Sequence, residues 1–273
     1  MFKGNTATFK FNFFENTGEE TTETVVSDKK RIETENEKKP VFIVKTDDAP
    51  LFEDFPCNPL GVGNLNFIHY AGQIGNATDI IPGEFEGGHR IWQGSIDLVR
   101  FIEEMDVPVD SSTTVMELGC GHGLPGCMML RKGATVYFQD LNEDSLSKAT
   151  LPTIVVNCGV EAVSRCTLLC GDWSHVAEKL DGVCIDYILA SDTIYTPETI
   201  RSFVSLVNQL ITEKTVVWIA SQKYYFGLGG GTQALMDIIK EMKLPLEVTI
   251  VKTVGLESVK RDVLCLKKVD SIE

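Results

Sequence analysis

The segment from Thr114 to Gly126, Thr-Val-Met-Glu-Leu-Gly-Cys-Gly-His-Gly-Leu-Pro-Gly, most constrains what this chain can fold into. Its apolar start, Val115 to Leu118, predicts a short buried strand, and the glycines at positions 119, 121 and 123 let the backbone turn sharply and approach a ligand closely. Apolar residues from Met128 to Leu130 then predict a helix, and Ala134 to Phe138 predict the next strand. Strand, glycine loop, helix and strand together indicate the beginning of a nucleotide-binding α/β sheet.

Two carboxylates bear on which ligand this loop would hold, because glycines alone also mark ordinary tight turns. Glu117 precedes the loop, and Asp140 follows the second strand, where a carboxylate can receive both hydroxyls of a ribose. The glycine spacing fits the pyrophosphate-binding frame of a dinucleotide fold only loosely. Glu117 would also repel a pyrophosphate, whereas it suits a cationic ligand that carries an amino group. The sequence therefore favours S-adenosylmethionine over NAD.

Length, charge and cysteine usage bound the class of protein. The 273 residues suffice for one α/β domain with an appendage, and a net charge of −14 argues against nucleic acid as the main partner while permitting a basic one. The eight cysteines show no Cys-x-x-Cys pair or zinc spacing, so we expect reduced core thiols, no disulfide and no metal. Without a signal-peptide pattern or a long apolar run, we expect a soluble intracellular protein that does not enter membranes.

Composition divides the chain into three parts. We expect residues 1–60 to be a largely flexible acidic segment, residues 61–110 an N-terminal cap with a lead-in helix, and residues 111–273 the catalytic domain. Residues 15–40 are rich in Glu, Thr and Lys, which predicts disorder. The basic groups at positions 29–31 and 38–39 fit either a nuclear address or a charge-mixed linker. The helix is predicted from Leu98, Phe101, Ile102 and Met105, and Trp92 before it is either a core aromatic or a pocket wall.

The remainder of the chain continues the alternation of strands and helices. Strands are predicted at 167–170, 185–190 and 214–220, and a closing hairpin at 247–253 and 263–267, while Pro197 begins a helix. Asp172 after the third strand either accepts a hydrogen bond from an adenine amino group or caps a turn. The pattern predicts a Rossmann-like α/β fold, with a seven-stranded, mostly parallel sheet and an antiparallel terminal strand, as in class I methyltransferases.

The loop after the fifth strand is unusual in composition. Residues 222–231 read Gln-Lys-Tyr-Tyr-Phe-Gly-Leu-Gly-Gly-Gly, which places aromatic residues beside four glycines. Because it leaves the carboxyl edge of the sheet, where substrates bind, we predict that Lys223 to Gly231 form part of a protein-substrate surface and lie outside the cofactor pocket.

Several of these stretches together resemble the histidine protein methyltransferases, a branch of the seven-β-strand methyltransferases. The resemblance covers roughly residues 80 to 270 and a short N-terminal piece, Phe9-Lys10-Phe11-Asn12-Phe13. Its most specific parts are Phe-Gln-Asp-x-Asn at 138–142 and Tyr-Tyr-Phe-Gly-x-Gly-Gly at 224–230. The other matching pieces are Glu86-Gly87-Gly88 through Ile91-Trp92, Glu117 to Gly123, Thr150-Leu151-Pro152, Gly171-Asp172-Trp173 and Asp192 to Tyr195.

The resemblance implies methyl transfer from S-adenosylmethionine to a ring nitrogen of a histidine in a large-subunit ribosomal protein, by an enzyme of the cytoplasm and nucleus that we expect to be a monomer. It also implies two groups beside the transferable methyl, Asp192 and Tyr195. With the two carboxylates above, the implied cofactor-binding residues are Ile91, Trp92, Gln93, Gly94, Ser95, Glu117, Gly119, Gly121, Gln139, Asp140, Leu141, Asn142, Gly171, Asp172, Trp173 and Ser191.

This chain departs from the family pattern at two places. Gln93-Gly94 stand where the family often has Glu-Cys, and Asp192 stands where it often has Glu. These departures leave the substrate open: lysine is the second acceptor to consider, and a non-catalytic protein that binds the cofactor and escorts a ribosomal protein is a further alternative. A dinucleotide-dependent oxidoreductase is the remaining class.

Overall fold

The computed structural model of the chain describes residues 40–44, 46, 57–59, 61–62, 64–68, 87–88, 90–255 and 260–270. These residues belong to one compact unit, Lys38–Glu273. The phenylalanine-rich start, the basic groups and the segment expected to be disordered, apart from Pro40, lie outside the described residues.

The described strands, in chain order, are β1 (Phe42–Ile43), β2 (Cys57–Pro59), β3 (Asn66–Ile68), β4 (Thr114–Leu118), β5 (Thr135–Asp140), β6 (Cys166–Cys170), β7 (Tyr187–Ser191), β8 (Val216–Gln222), β9 (Leu246–Val254) and β10 (Arg261–Lys268). The α-helices are α1 (Gln93–Glu104), α2 (Leu124–Arg131), α3 (Glu143–Ser145), α4 (Leu151–Cys158), α5 (Pro197–Leu210) and α6 (Thr232–Glu241). A π-helical turn (Leu146–Thr150) joins α3 to α4, and short 3₁₀ turns occupy Val160–Arg165, Trp173–His175 and Ala177–Leu180.

One large sheet organises the molecule, with the strand order β1-β6-β5-β4-β7-β8-β10-β9. The five strands from β6 to β8 in this order run parallel, and the β9–β10 hairpin closes one edge antiparallel to β8. Strands β2 and β3 form a separate antiparallel pair. The predicted α/β class, the parallel centre and the antiparallel terminal strand are confirmed.

The predicted strand count was one short, because the sheet has eight strands within the described residues. Phe42 pairs with Cys170 and Ile43 with Leu169, so β1 adds an antiparallel edge strand from the part of the chain that composition grouped with the N-terminal segment. The flanking Val41 and Val44 are 5% and 6% exposed, and their burial anchors a strand whose own two side chains face solvent. A two-residue strand with outward-facing apolar side chains has no periodic signal, so sequence alone did not reveal it.

Apolar side chains pack on both faces of the sheet. One core lies between the sheet and helices α1, α2 and α4, and the other lies under α5 and α6. The predicted helix stripe holds for Leu98, Phe101 and Ile102, which are buried, but is wrong for Met105. Met105 is 58% exposed because it follows the last residue of α1 and has turned away from the sheet.

Two absences concern the described residues only. No helix within them is long and apolar enough to cross a membrane. Their His, Cys, Asp and Glu side chains form no group of three or more that could hold a metal ion.

Candidate active site

A cavity of about 440 Å³ opens at the carboxyl ends of the parallel strands. It lies where the chain order reverses, with β5 and β6 on one side of β4 and β7 and β8 on the other. Such a switch point leaves a crevice between adjacent connections and is where open α/β sheets bind ligands. The predicted residues that line it are Ile91, Trp92, Ser95, Gly119, Gly121, Gln139, Asp140, Leu141, Gly171, Asp172, Trp173, Ser191, Asp192 and Tyr195.

The glycine loop after β4 presents bare backbone to this cavity. Gly119, Gly121 and Gly123 have φ angles of 61°, 51° and 68°, in the left-handed region that favours glycine. At Gly121 a Cβ would lie 3.1 Å from the carbonyl oxygen of Gly88, so the two backbones approach closely at this point. At these three positions the loop keeps its shape only with glycine, as the sequence predicted.

Asp140 ends β5 with its carboxylate aimed back at the glycine loop. Its Oδ2 accepts the N–H of Gly121 at 3.0 Å, and its Oδ1 accepts the N–H of Asn142 at 3.1 Å. Burial raises the pKa of Asp140, and hydrogen bonds from the N–H groups of Asn142, Gly121 and Leu141 and from the Ser145 hydroxyl act in the opposite direction. Asp140 lines the cavity, and a carboxylate at this place is suited to accept the hydroxyls of a ribose.

Gln139 connects three parts of the cavity wall. Its Oε1 accepts the indole N–H of Trp173 at 2.6 Å and the N–H of Gly119 at 3.1 Å, while its Nε2 donates to the carbonyl of Gly171 at 2.8 Å. The side chain is 1% exposed. Since its amide reaches both loops, Gln139 fixes the position of the glycine loop relative to the Gly-Asp-Trp turn.

The structure also bears on the alternatives at Asp172 and Trp92. The Oδ1 of Asp172 accepts the N–H of Ser174 at 2.9 Å and caps a 3₁₀ turn, so the capping role is observed while an adenine contact remains a prediction. Trp92 lines the cavity as a half-buried wall, and its indole N–H donates to the carbonyl of Gly87 at 3.2 Å. The Arg90 guanidinium lies 5.8 Å from the centre of the Trp92 ring.

Four predicted cofactor residues do not line the cavity: Gln93, Gly94, Glu117 and Asn142. Gln93 lies on α1 and its side-chain amide donates to Asp97, Gly94 contacts Asp192, and the N–H of Asn142 supports Asp140. The position of a residue in a motif does not tell whether it lines the cavity or only holds a cavity-lining residue in place.

Glu117 is the most instructive of these corrections. Side chains alternate along β4, so Glu117 points to the sheet face covered by α2, where its Oε2 accepts the N–H of Gly126 at 2.7 Å. It is fully buried, and burial raises its pKa to about 8. Glu117 therefore does not present its charge to a ligand amino group in the cavity, because the carboxyl braces the first turn of α2 and burial favours its neutral form.

Asp192 and Tyr195, the two predicted groups of the acceptor site, both reach the cavity from the end of β7. Asp192 has a φ of 53°, and its N–H donates to the carbonyl of Ala220 at 2.8 Å. Its Oδ2 accepts the N–H of Gly94 at 2.7 Å, and its Oδ1 accepts the phenol of Tyr225 at 2.5 Å. Burial raises the pKa of Asp192, while the hydrogen bonds from Tyr225 and Gly94 lower it.

The predicted substrate loop does not line the cavity, but its two tyrosines differ. Tyr224 is 51% and Phe226 86% exposed, whereas Tyr225 is 8% exposed and holds Asp192. Sequence reasoning placed both tyrosines on the surface and missed the inward one. Further cavity residues that it missed are Gly88, Arg90, His122, Leu124, Thr193, Thr196, Glu198, Thr199 and Ser202. Several of these directly neighbour predicted ones, a signal that would have found them.

The strand order, with β10 inserted antiparallel between β8 and β9, is that of a class I methyltransferase, and the cavity lies at the glycine loop where this fold binds its cofactor. The family model described as lysine methyltransferase matches residues 83–227, more than half of the chain. The chain therefore belongs to this methyltransferase family, and membership implies S-adenosylmethionine as the cofactor. The bare backbone at Gly119 and Gly121 and the carboxylate of Asp140 at the cavity wall fit that molecule.

The names of similar curated proteins specify the residue that those proteins methylate. The chain is 34% identical over 195 residues to "Histidine protein methyltransferase 1 homolog" of Dictyostelium discoideum, covering 71% of this chain and 62% of that protein. The protein of the same name in Rattus norvegicus is 31% identical over 191 residues, covering 60% and 52%. "Protein N-lysine methyltransferase METTL21A" of Xenopus tropicalis is 25% identical over 154 residues, covering 56% and 66%. The chain thus spans less than two thirds of the length of these relatives.

Solved structures resemble the chain more distantly. A TehB-like SAM-dependent methyltransferase from Corynebacterium glutamicum is 17% identical with a TM-score of 0.45, covering 66% of this chain and 90% of that one. The CurJ carbon methyltransferase is 14% identical with a TM-score of 0.48, covering 65% and 54%. With TM-scores below 0.5, these two likenesses add nothing to the fold described above.

Proposed function

We propose that the protein transfers a methyl group from S-adenosylmethionine to a ring nitrogen of a histidine in a protein substrate. The observation that carries this proposal is the position of Asp192 at the wall of the cavity. Gly94 and Tyr225 hold its carboxylate, and Tyr195 lines the same cavity. The relatives named for histidine methylation are more similar to the chain than the one named for lysine methylation.

The chemistry of the acceptor supports this assignment. A histidine has an unperturbed pKa of about 6.5, so near pH 7 it is largely neutral and already offers a ring lone pair. The bound cofactor supplies an electrophilic methyl on a sulfonium. The task left to the protein is to select one nitrogen and aim its lone pair. Asp192 can accept the N–H of the other nitrogen and stabilise the imidazolium as it forms, and Tyr195 can wall the ring.

The exposed part of the loop after β8 fits the surface against which a protein substrate would pack. Tyr224, Phe226 and Leu228 are 51%, 86% and 45% exposed, and they follow the strand whose Ala220 carbonyl holds Asp192. Grouped exposed aromatics mark protein-binding surfaces. The net charge of −14 favours a basic partner. Together with the family resemblance, these features support a basic large-subunit ribosomal protein as the substrate of a monomeric enzyme in the cytoplasm and nucleus, with no direct contact to nucleic acid.

Lysine is the second candidate acceptor, and the description of the matching family model favours it. A lysine arrives protonated, with a pKa near 10.4, and must lose a proton before it can attack. For histidine, kcat/KM should rise through the imidazole pKa and level off by about pH 8, whereas for lysine it should keep climbing toward roughly pH 9 to 10.

The deciding experiment incubates the protein and tritiated S-adenosylmethionine with an extract of cells that lack it, and identifies the labelled residue by mass spectrometry. We expect methyl-histidine in a basic ribosomal protein. Methyl-lysine would overturn the proposed acceptor. Binding of the cofactor without any labelled protein would instead support the non-catalytic escort.

A further inference from the structure

We propose that Tyr225 is the positioning residue for the reaction, acting through Asp192 and without touching the substrate itself. This proposal rests on the proposed function, because it assigns how the carboxylate beside the acceptor is held. It separates Tyr225 from its neighbour Tyr224, although the two are adjacent in the sequence.

The phenol of Tyr225 is in direct contact with the carboxylate of Asp192. The phenol donates to Oδ1 of Asp192 at 2.5 Å, a short hydrogen bond typical of an ionised acceptor. Tyr225 does not line the cavity, whereas Asp192 does. The hydroxyl therefore reaches the reacting region only through the carboxylate that it holds.

The second carboxylate oxygen of Asp192 is held by the backbone. Its Oδ2 accepts the N–H of Gly94, and a Cβ at Gly94 would lie 2.5 Å from that oxygen and 3.0 Å from the carbonyl of Ala220. Residue 94 thus has no side chain because the carboxylate occupies that space. With one oxygen held by α1 and the other by the loop after β8, Asp192 has a single orientation.

The phenol of Tyr225 is itself held in place by hydrogen bonds. Its oxygen lies 3.3 Å from both the Ser221 hydroxyl and the N–H of Gln222, each of which can donate to it. The phenol then has only its own proton to give, and it gives it to Asp192. The ring is 8% exposed and packs edge to face against Tyr195, with 6.4 Å between ring centres.

The electrostatic surroundings explain why the carboxylate requires this support. Asp97 on α1 raises the pKa of Asp192, and Arg261 at the start of β10 lowers it. Arg261 is bound to Asp97 through its Nε, so much of its charge is already compensated. The Tyr225 phenol and the Gly94 N–H are the direct donors that favour the ionised form of Asp192 against its burial.

The test compares Tyr225→Phe with Tyr187→Phe. The control removes a phenol hydroxyl at the first residue of β7, the end of the strand that is remote from Asp192. Initial rates are measured with tritiated S-adenosylmethionine over a dilution series of extract from cells that lack the protein, and cofactor affinity is measured by calorimetry. We expect Tyr225→Phe to lower the maximal rate roughly tenfold or more, as for loss of a hydrogen bond to a charged group. Cofactor affinity and the half-saturating extract concentration should not change, and Tyr187→Phe should behave as wild type.

A double-variant cycle distinguishes positioning from a general structural role. In an Asp192→Asn background, Tyr225→Phe should cause little further loss, because the phenol acts through the carboxylate. An equal loss in both backgrounds, or rates for Tyr225→Phe that match Tyr187→Phe, would overturn the positioning role and leave the proposed function standing. Label on lysine would instead overturn the proposed acceptor, while the cycle would still report on Tyr225. No label from the wild-type protein would overturn both.

Discussion

The two halves of the cavity are built in different ways. The cofactor side, meaning the glycine loop at 119–123, Asp140 and the turn at 171–173, consists of backbone and side chains that immediately follow consecutive strands β4, β5 and β6. The acceptor side, meaning Asp192 and Tyr195 at the cavity with Gly94 and Tyr225 holding Asp192 from outside it, is assembled from a helix and two strand ends, with the Gly94–Asp192 contact spanning 98 positions. The cofactor side is contributed by consecutive strand ends of one stretch of chain, whereas the acceptor side joins α1 to strand ends that are far from it in the sequence.

Asp192→Asn should separate the two halves most clearly. We expect turnover to fall by about a hundredfold to a thousandfold, as when one electrostatic stabiliser of a transition state is removed. Cofactor affinity measured by calorimetry should stay unchanged, since Asp140 and the glycine loop are untouched. Full activity on a histidine-containing substrate would remove Asp192 from the mechanism.

Asp140→Ala is the matching change on the cofactor side. Loss of hydrogen bonds to a charged acceptor costs about 1.5 to 3 kcal/mol, so affinity for S-adenosylmethionine should fall roughly tenfold to a hundredfold. Because Asp140 also holds the N–H of Gly121, thermal unfolding must confirm that the variant is folded. A folded variant with unchanged affinity would show that the ribose is held elsewhere.

This difference explains which parts sequence reasoning could reach. The glycine loop and Asp140 were predicted because strand, turn and carboxylate are adjacent in the chain, and each has its own local signal. Tyr225 was misplaced because a tyrosine in a glycine-rich loop gives no sign of its direction, and its partner Asp192 is 33 positions away. Short β1 and the inward turn of Glu117 likewise depend on contacts that form only in the folded sheet.

Glu117 links the cofactor side to the stability of the fold, and it makes a pH-dependent prediction. Its pKa is about 8 in the folded protein, above its ordinary value of 4.5, so between these pH values the folded state binds a proton that the unfolded chain has lost. The free energy of unfolding should therefore fall as pH rises from about 4.5 through 8. The contribution of this group approaches about 1.4 kcal/mol per pH unit.

Glu117→Gln tests this sign, because glutamine keeps an acceptor for the N–H of Gly126 but cannot ionise. Urea unfolding at a series of pH values should give a difference between wild type and variant that grows with pH in favour of the variant. A difference that is constant between pH 5 and 8 would mean that Glu117 binds the same number of protons in the folded and unfolded states, so that folding does not raise its pKa. Parallel calorimetry should find cofactor binding retained, since Glu117 does not line the cavity.

The smallest effects are expected at the outer edge of the acceptor side, where Tyr224 and Phe226 are exposed and make the proposed substrate contact. Truncating both to alanine should raise the apparent KM for the protein substrate by roughly tenfold or less, the range of about 1 kcal/mol typical of interface residues outside a hot spot. The maximal rate and cofactor affinity should not change. The lost contact binds the substrate equally in the ground state and the transition state, and Asp192 stays in position. For Tyr225→Phe we expect the reverse pattern, which is a lower maximal rate at an unchanged KM. If the Tyr224→Ala/Phe226→Ala variant lost cofactor affinity instead, the loop would belong to the cofactor side, and the division between the two halves would fail at this loop.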